Sequence, residues 1–451
     1  MNLLKLETGA YKNQGVTPMK IHTAIIGSLA LALLGAVGTA SAAVNVQCPG
    51  DTNGDAVIDN PDPNHPNAKC IHLIAGDSFA VMSDGNPMYT FGFAEAVDAN
   101  GNPSLPGDAI LNGILDAEWP GTTIELDQGD ELFLSLTNVG TVIRPDLFDP
   151  HTVHFHGFPN AASVFDGVPE VSISINMGVT LSYYYNIVEP GTYIYHCHVE
   201  ASEHMEMGML ANLWVHPDQD ATGINGDPAT IGRRKGGAGT NEHWGYVYND
   251  GDGTTGFDVE EAIQLSSFDP DFHDASLFVQ PLPFALLEAQ YPMINGRGYP
   301  DTILPGDMPA PTDNTVAVAG HAPGKVTGTP GEILNNGTPT QTMDSVITVN
   351  QGEDLLLRLS NVSIDRFYTM TAPGLTMKIV GTGARQMRGP DGKNIYREVS
   401  SVNFGGGETH DVIIDTANLA PGTYFLHSAE LHQMSNLTQM MGGMITEIVV
   451  Q

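Results

Sequence analysis

Apolar and polar residues alternate along much of this chain. The segment TIELDQGDELFLSLTNV at 123–139 places apolar side chains at every second position on either side of a QGD turn. A period of two belongs to strands that bury one face. VITVNQGEDLLLRLSNV at 346–362 repeats the pattern nearly residue for residue. PGTYIYHC at 190–197 returns as PGTYFLHS at 421–428. The first pair is offset by 223 residues and the second by 231, so order and spacing both hold. Two copies of one all-β domain, each a β-sandwich, explain the repeat. The first copy is expected over 43–217 and the second over 258–451. Between them, 218–257 is rich in Gly, Asp, Asn and Thr and reads as a linker or long loop.

The first residues break the alternation. Lys20 precedes an apolar stretch from Ala24 to Val37, and Ala40-Ser41-Ala42 follows as a small-residue cleavage site. This is the pattern of a secretory signal peptide over 1–42, with Met19 as its expected true start. The stretch is too short for a comfortable membrane span, and no later one is longer, so no span is expected after processing. A periplasmic or secreted protein in an oxidising compartment follows.

Composition narrows the partners. The chain has 52 acidic and 17 basic residues and a formal charge of −35, which falls to −37 once the leader takes away three lysines and one glutamate. Nucleic-acid phosphates would be repelled. The charge fits a soluble exported protein or attraction of cationic metal ions. With 51 glycines and 30 prolines, short strands and many turns are favoured over long helices.

Three cysteines leave one without an internal mate. In an exported protein Cys48 and Cys70 form the simple disulfide, worth roughly 3 kcal/mol for a loop of this size. Inside that loop Asp51, Asn53, Asp55 and Asp59 take positions 1, 3, 5 and 9 of a calcium-loop pattern. Ala56 stands where the sharp turn wants glycine, and Asp62 where glutamate is usual. The segment reads as either a calcium site or an acidic, turn-rich loop.

Cys197 lies in a different setting. His151, His154 and His156 fall in HTVHFHG, and His196, Cys197, His198 and His204 in YHCHVEASEHMEMGM. Side chains alternate across a strand, so His154 and His156 share a face, as do His196 and His198. Cys197 and His151 point the other way. If the two strands are neighbours, one side collects four histidines and the other His151 and Cys197. His204 and Met209 follow in a segment able to fold over Cys197. Two histidines, one cysteine and a weak methionine make a blue-copper ligand set, and four further imidazoles suit additional copper. Structural zinc normally takes paired thiolates, and only one is present. Met205, Met207, Met434, Met440, Met441 and Met444 supply further sulfurs, for Cu(I) or for packing.

At these residues the chain resembles the multicopper oxidase family, and within it the two-domain members related to laccases and copper nitrite reductases. HTVHFHG resembles the family's H-x-x-H-x-H-G segment, and GTYIYHCH with His204 and Gly208-Met209 its H-C-H…H…GM segment. Asp166-Gly167-Val168-Pro169, INGRGYPDT at 294–302 and GETHDVIID at 407–415 resemble further family stretches. The resemblance implies two cupredoxin-like Greek-key sandwiches. It implies a type 1 copper on His151, Cys197, His204 and Met209, which takes electrons singly from a small-molecule or metal-ion donor. It further implies half of a type 2/3 cluster on His154, His156, His196 and His198, where dioxygen is reduced. His196-Cys197-His198 would link the two centres covalently.

The second copy departs from the family pattern. Where more histidines are expected it has Thr371-Ala372-Pro373-Gly374 and His427-Ser428-Ala429. Only His427 remains, with His432 near it. In two-domain relatives, the first domain of one subunit meets the second domain of the next in a homotrimer. The resemblance implies that arrangement here, with His427 reaching a neighbour's four-histidine face. Two alternatives to an oxidase remain: a blue-copper electron-transfer or copper-binding protein with the type 1 centre alone, and a nitrite reductase-like enzyme.

Overall fold

The computed structural model describes residues 48–105, 107–237, 243–278, 281–313 and 331–451. The expected leader over 1–42, with Met19, lies outside the described residues. No helix among the described residues is long and apolar enough to cross a membrane.

The repeat read from the sequence becomes two sandwiches of the same strand order. In the first, one sheet runs Pro87–Glu95, Ala68–Val81, Glu131–Gly140, Thr180–Asn186, and the facing sheet Ile124–Asp127, Leu210–His216, Gly191–His196, His154–Phe155. In the second, one sheet begins Tyr291–Ile294, Val259–Phe268, Asp354–Asn361, Thr409–Asp415, and the facing sheet runs Ile347–Val349, Ile445–Val450, Gly422–Ser428, Tyr368–Thr371, Ser401–Phe404. Parallel and antiparallel pairings recur in the same places. Ala68–Val81 runs parallel to Glu131–Gly140 as Val259–Phe268 does to Asp354–Asn361. Gly191–His196 runs antiparallel to Leu210–His216 as Gly422–Ser428 does to Ile445–Val450. The fold is all-β, of the cupredoxin type.

The alternation decides what fills each core. Leu132, Leu134 and Leu136 point into the first core beside Leu126, Tyr195 and Leu213 of the facing sheet. Leu355, Leu357 and Leu359 do the same in the second, beside Met370, Leu426 and Ile448. Each fully buried leucine contributes roughly 2 kcal/mol. The intervening positions of the second strand do not face water. Leu356 packs on Val247 and Tyr248, and Arg358 is fully buried. Arg358 pairs with Glu260, lies 3.4 Å from Asp411 and donates to Thr192 Oγ1 at 2.8 Å. Thr192 Oγ1 in turn donates to Asp411 at 2.5 Å. The second sandwich therefore covers the strand Gly191–His196 with a polar network that pairs the buried guanidinium with carboxylates, as a buried charge requires, though Arg358 Nη2 has no hydrogen-bond partner among the described residues.

The described parts of the segment 218–257, which are 218–237 and 243–257, are loop-rich but packed. They contain the helical turn Gln219–Thr222, three 3-10 turns and the ribbon Gly245–Tyr246 with Gly256–Phe257. Asp220 is fully buried, bonded to Arg234 at 2.6 Å and to the Tyr246 amide at 2.7 Å. The loop before the first strand is closed by the Cys48–Cys70 disulfide.

Candidate metal centre

The strand pair expected to gather the histidines forms: His154 lies opposite His196, and Phe155 opposite Tyr195. Phe155 and Tyr195 enter the core, and the histidines take the other face. The rings of His154 and His196 are 5.2 Å apart, those of His154 and His198 5.1 Å, and those of His156 and His196 5.5 Å. Ligand atoms of His154, His156 and His196 all lie within 4.8 Å of one another. His154 Nδ1 donates to the Asp166 carbonyl at 2.6 Å, and His196 Nδ1 to the Cys197 carbonyl at 2.8 Å. A carbonyl only accepts, so both rings carry their proton on Nδ1 and present Nε2 as a lone pair. Asp166 belongs to the DGVP stretch, whose contribution here is a backbone carbonyl.

Cys197 lies on the opposite side, as the alternation requires. Its Sγ is 3.2 Å from His204 Nδ1 and 3.9 Å from His151 Nδ1, and the three ligand atoms fall within 4.8 Å. All three residues are fully buried, as is Met209. His151 is pinned by paired backbone bonds to Ile175. Cys197 N donates to the Met209 carbonyl at 3.0 Å, so the methionine segment closes over the thiol. The short helix Ala201–Glu206 carries His204. Thr152, which sequence reasoning passed over, donates its amide to Cys197 Sγ at 3.5 Å and accepts from the His198 amide through Oγ1 at 3.1 Å.

The donor chemistry fits copper. Burial holds His151 well below the ordinary imidazole value, His204 at about 4 and His196 at about 3, so their nitrogens are neutral ligands. Burial pushes the Cys197 thiol up to about 11, so a metal must displace its proton. One thiolate with imidazoles and a thioether selects copper over hard ions.

Other candidates are not drawn in. The Asp51 carboxylate accepts from the Gly54 amide at 2.6 Å and the Ala56 amide at 2.8 Å, and Asp59 accepts from Thr52 Oγ1 at 2.7 Å. These carboxylates hold their own loop, and among the described residues no three His, Cys, Asp or Glu ligand atoms gather there. His427 and His432 join neither histidine group. His432 is exposed, 3.7 Å from Glu430. The second sandwich instead brings its Gly405–Gly407 turn to the histidine face, where it lines a cavity of about 540 Å³ with His156, His196 and Asp365. A Cβ on Gly407, which sits at φ +84°, would lie 2.8 Å from His156 Nε2, so glycine is what leaves room for that ring. Asp149 and Glu200 place carboxylate oxygens within 4.8 Å of a His204 ring nitrogen, an acidic edge on the cysteine site.

Two family models match, both described as multicopper oxidase, over residues 111–220 and 303–451, together more than half of the chain. The chain belongs to the multicopper oxidase family. An iron transport multicopper oxidase of Gibberella zeae is 33% identical over 103 residues, which are 22% of this chain and 15% of that protein. The chain thus spans under a fifth of the length of the curated relatives it matches. Its fold is similar to a blue copper oxidase of Nitrosomonas europaea, with a TM-score of 0.54 at 20% identity over 84% of this chain and 85% of that one. It is also similar to a copper nitrite reductase of the same organism, with a TM-score of 0.51 at 14% identity over 84% and 93%. Copper is the family's cofactor, and its members are oxidoreductases.

Proposed function

We propose that this chain is an exported copper-dependent oxidase that passes single electrons from a donor to dioxygen. His151, Cys197, His204 and Met209 would hold the copper that accepts electrons, and His154, His156, His196 and His198 the copper that meets oxygen. Copper supplies one-electron redox at the first group and oxygen reduction at the second. The chain supplies the rest. Cys197 is joined through its own backbone to His196 and His198, so a covalent path runs from one group to the other. Full burial of Cys197, His151 and His204 keeps water from the thiolate. The Asp166 and Cys197 carbonyls fix which nitrogen of His154 and His196 faces the metal. The acidic edge of Asp149 and Glu200 supports a cationic donor, a metal ion or protonated amine, beside His204.

The observation that carries this reading is the gathering of four histidine rings on the reverse side of the Cys197 strand end. A carrier with only the cysteine site is favoured by one feature, the Thr371 and Pro373 that stand where further histidines are expected. Elemental analysis with oxygen uptake separates the two. The oxidase holds more than a single copper per chain and consumes oxygen with a reducing donor. A single copper with no uptake contradicts it.

A further inference from the structure

The strand Gly422–Ser428 repeats Gly191–His196 down to one side-chain bond. His196 Nδ1 donates to the carbonyl of the next residue, Cys197, at 2.8 Å. His427 Nδ1 donates to the carbonyl of the next residue, Ser428, also at 2.8 Å. The bond fixes the tautomer and leaves His427 Nε2 as a lone pair, the arrangement found on metal-ligating histidines. The surroundings that make a copper site in the first sandwich are gone: Thr371 lies opposite His427 where His154 lies opposite His196.

Something else faces His427. A cavity of about 300 Å³ is lined by His427, Met434 and Met441, with Tyr424 and Phe425 on its apolar wall. No carboxylate, lysine or arginine lines it. Met441 is half exposed, so the cavity is reachable from solvent. Two thioethers and one imidazole form a soft donor set. It offers nothing to calcium or magnesium, lacks the thiolates of a zinc site, and suits a monovalent, closed-shell ion. Low charge matters as well, because an apolar wall penalises a divalent ion more than a monovalent one.

We propose that His427, Met434 and Met441 bind a cuprous ion. The site is separate from both first-domain groups, and the proposal does not depend on the oxidase reading. It also gives His427 a role within its own chain.

Silver(I), a closed-shell ion of the same charge that takes no electron from resident copper, is the probe. The copper-loaded protein is titrated with silver(I) in chloride-free buffer, followed by calorimetry and elemental analysis. The wild type takes up one further ion per chain. Met434→Leu/Met441→Leu loses that uptake, and His427→Gln weakens it at least tenfold, each with the absorption of the Cys197 site unchanged as a check on folding. The proposal is overturned if the wild type binds no added silver, or if the double methionine variant binds as much. It is equally overturned if His427→Gln removes resident copper while the methionine variant changes nothing. His427 would then serve the histidine face of a second copy of the chain. Oxygen uptake is not read, so failure here and failure of the oxidase reading stay distinct.

Discussion

At the end of Gly191–His196 the chain places Cys197 between His196 and His198; at the end of Gly422–Ser428 it places Ser428 between His427 and Ala429. The backbone treats the two alike. Cys197 N donates to the Met209 carbonyl at 3.0 Å and Ser428 N to the Met444 carbonyl at 3.1 Å. The side chains part company. Where His151 precedes His154 by three residues, Tyr368 precedes Thr371, and its hydroxyl donates to Ser267 Oγ at 2.6 Å. Where His204 faces Cys197, Gln433 accepts from Ser428 Oγ at 2.6 Å. One site is a ligand cage and the other a closed hydrogen-bond network in the same scaffold. Fold and metal chemistry are therefore separable here: the strands need alternation and turns, while copper needs a handful of side chains the strands tolerate losing.

The surroundings differ too. Every residue of Gly191–His196 is buried, because Arg358, Asp411 and Thr409 of the second sandwich close over it. Gly422–Ser428 has no such cover and leaves Thr423 and Phe425 exposed. The cover meets the first strand at Thr192, near its start; at the far ends Cys197 and Ser428 are equally buried, so the two sites differ in their side chains and not in burial.

The comparison can be broken at several points. The largest effect is expected at His154. His154→Ala should bring oxygen uptake below detection and leave the blue absorption of the Cys197 site intact, since the two lie on opposite sides of the strand. Loss of colour would contradict that two-sided geometry. Acid comes next. In metal-free protein the buried imidazoles of His151, His204 and His196 stay neutral well below the ordinary value of 6.5. The unfolded chain then binds the extra protons, so stability is full above about pH 6.5 and falls as the pH drops toward the folded values. The loss is about 2 kcal/mol per imidazole by pH 5. Denaturant melts at pH 7 and pH 5 measure it, and His204→Asn should remove one share. Equal stability at both pH values would mean the site is wetter than described. The smallest effect sharpens the comparison from the other side. Ser428→Cys should give no blue absorption, because Tyr368 and Gln433 offer no imidazole, and should cost about 1 kcal/mol through the lost bond to Gln433. A blue Ser428→Cys protein would show that the second site still has a cage.

Much of this was legible in the residues themselves. The alternation at 123–139 and 346–362 announced both sandwiches, and period-two geometry sorted His154 and His196 from Cys197. What escaped were contacts made by residues far apart in sequence. Nothing local marks Gly407 as the neighbour of His156, because only the packing of one sandwich on the other creates that approach. Arg358 falls on the polar side of the alternation, yet that face meets the other sandwich and the side chain is fully buried. In 218–257 the Gly and Asp content suggested a loop, but Asp220 and Arg234, whose pairing ties it down, carry no periodic signal. The role of the Asp166 carbonyl was hidden for a similar reason, since backbone atoms leave no trace in side-chain identity.

The most direct test of the central account, two copper centres back to back on one strand end, is the copper content and absorption spectrum of Cys197→Ser beside the wild type. The account predicts that the wild type is blue, and that the variant loses the blue band and one copper while keeping the copper on His154, His156, His196 and His198. Retention of the blue band, or loss of every copper together from a folded variant, would contradict it.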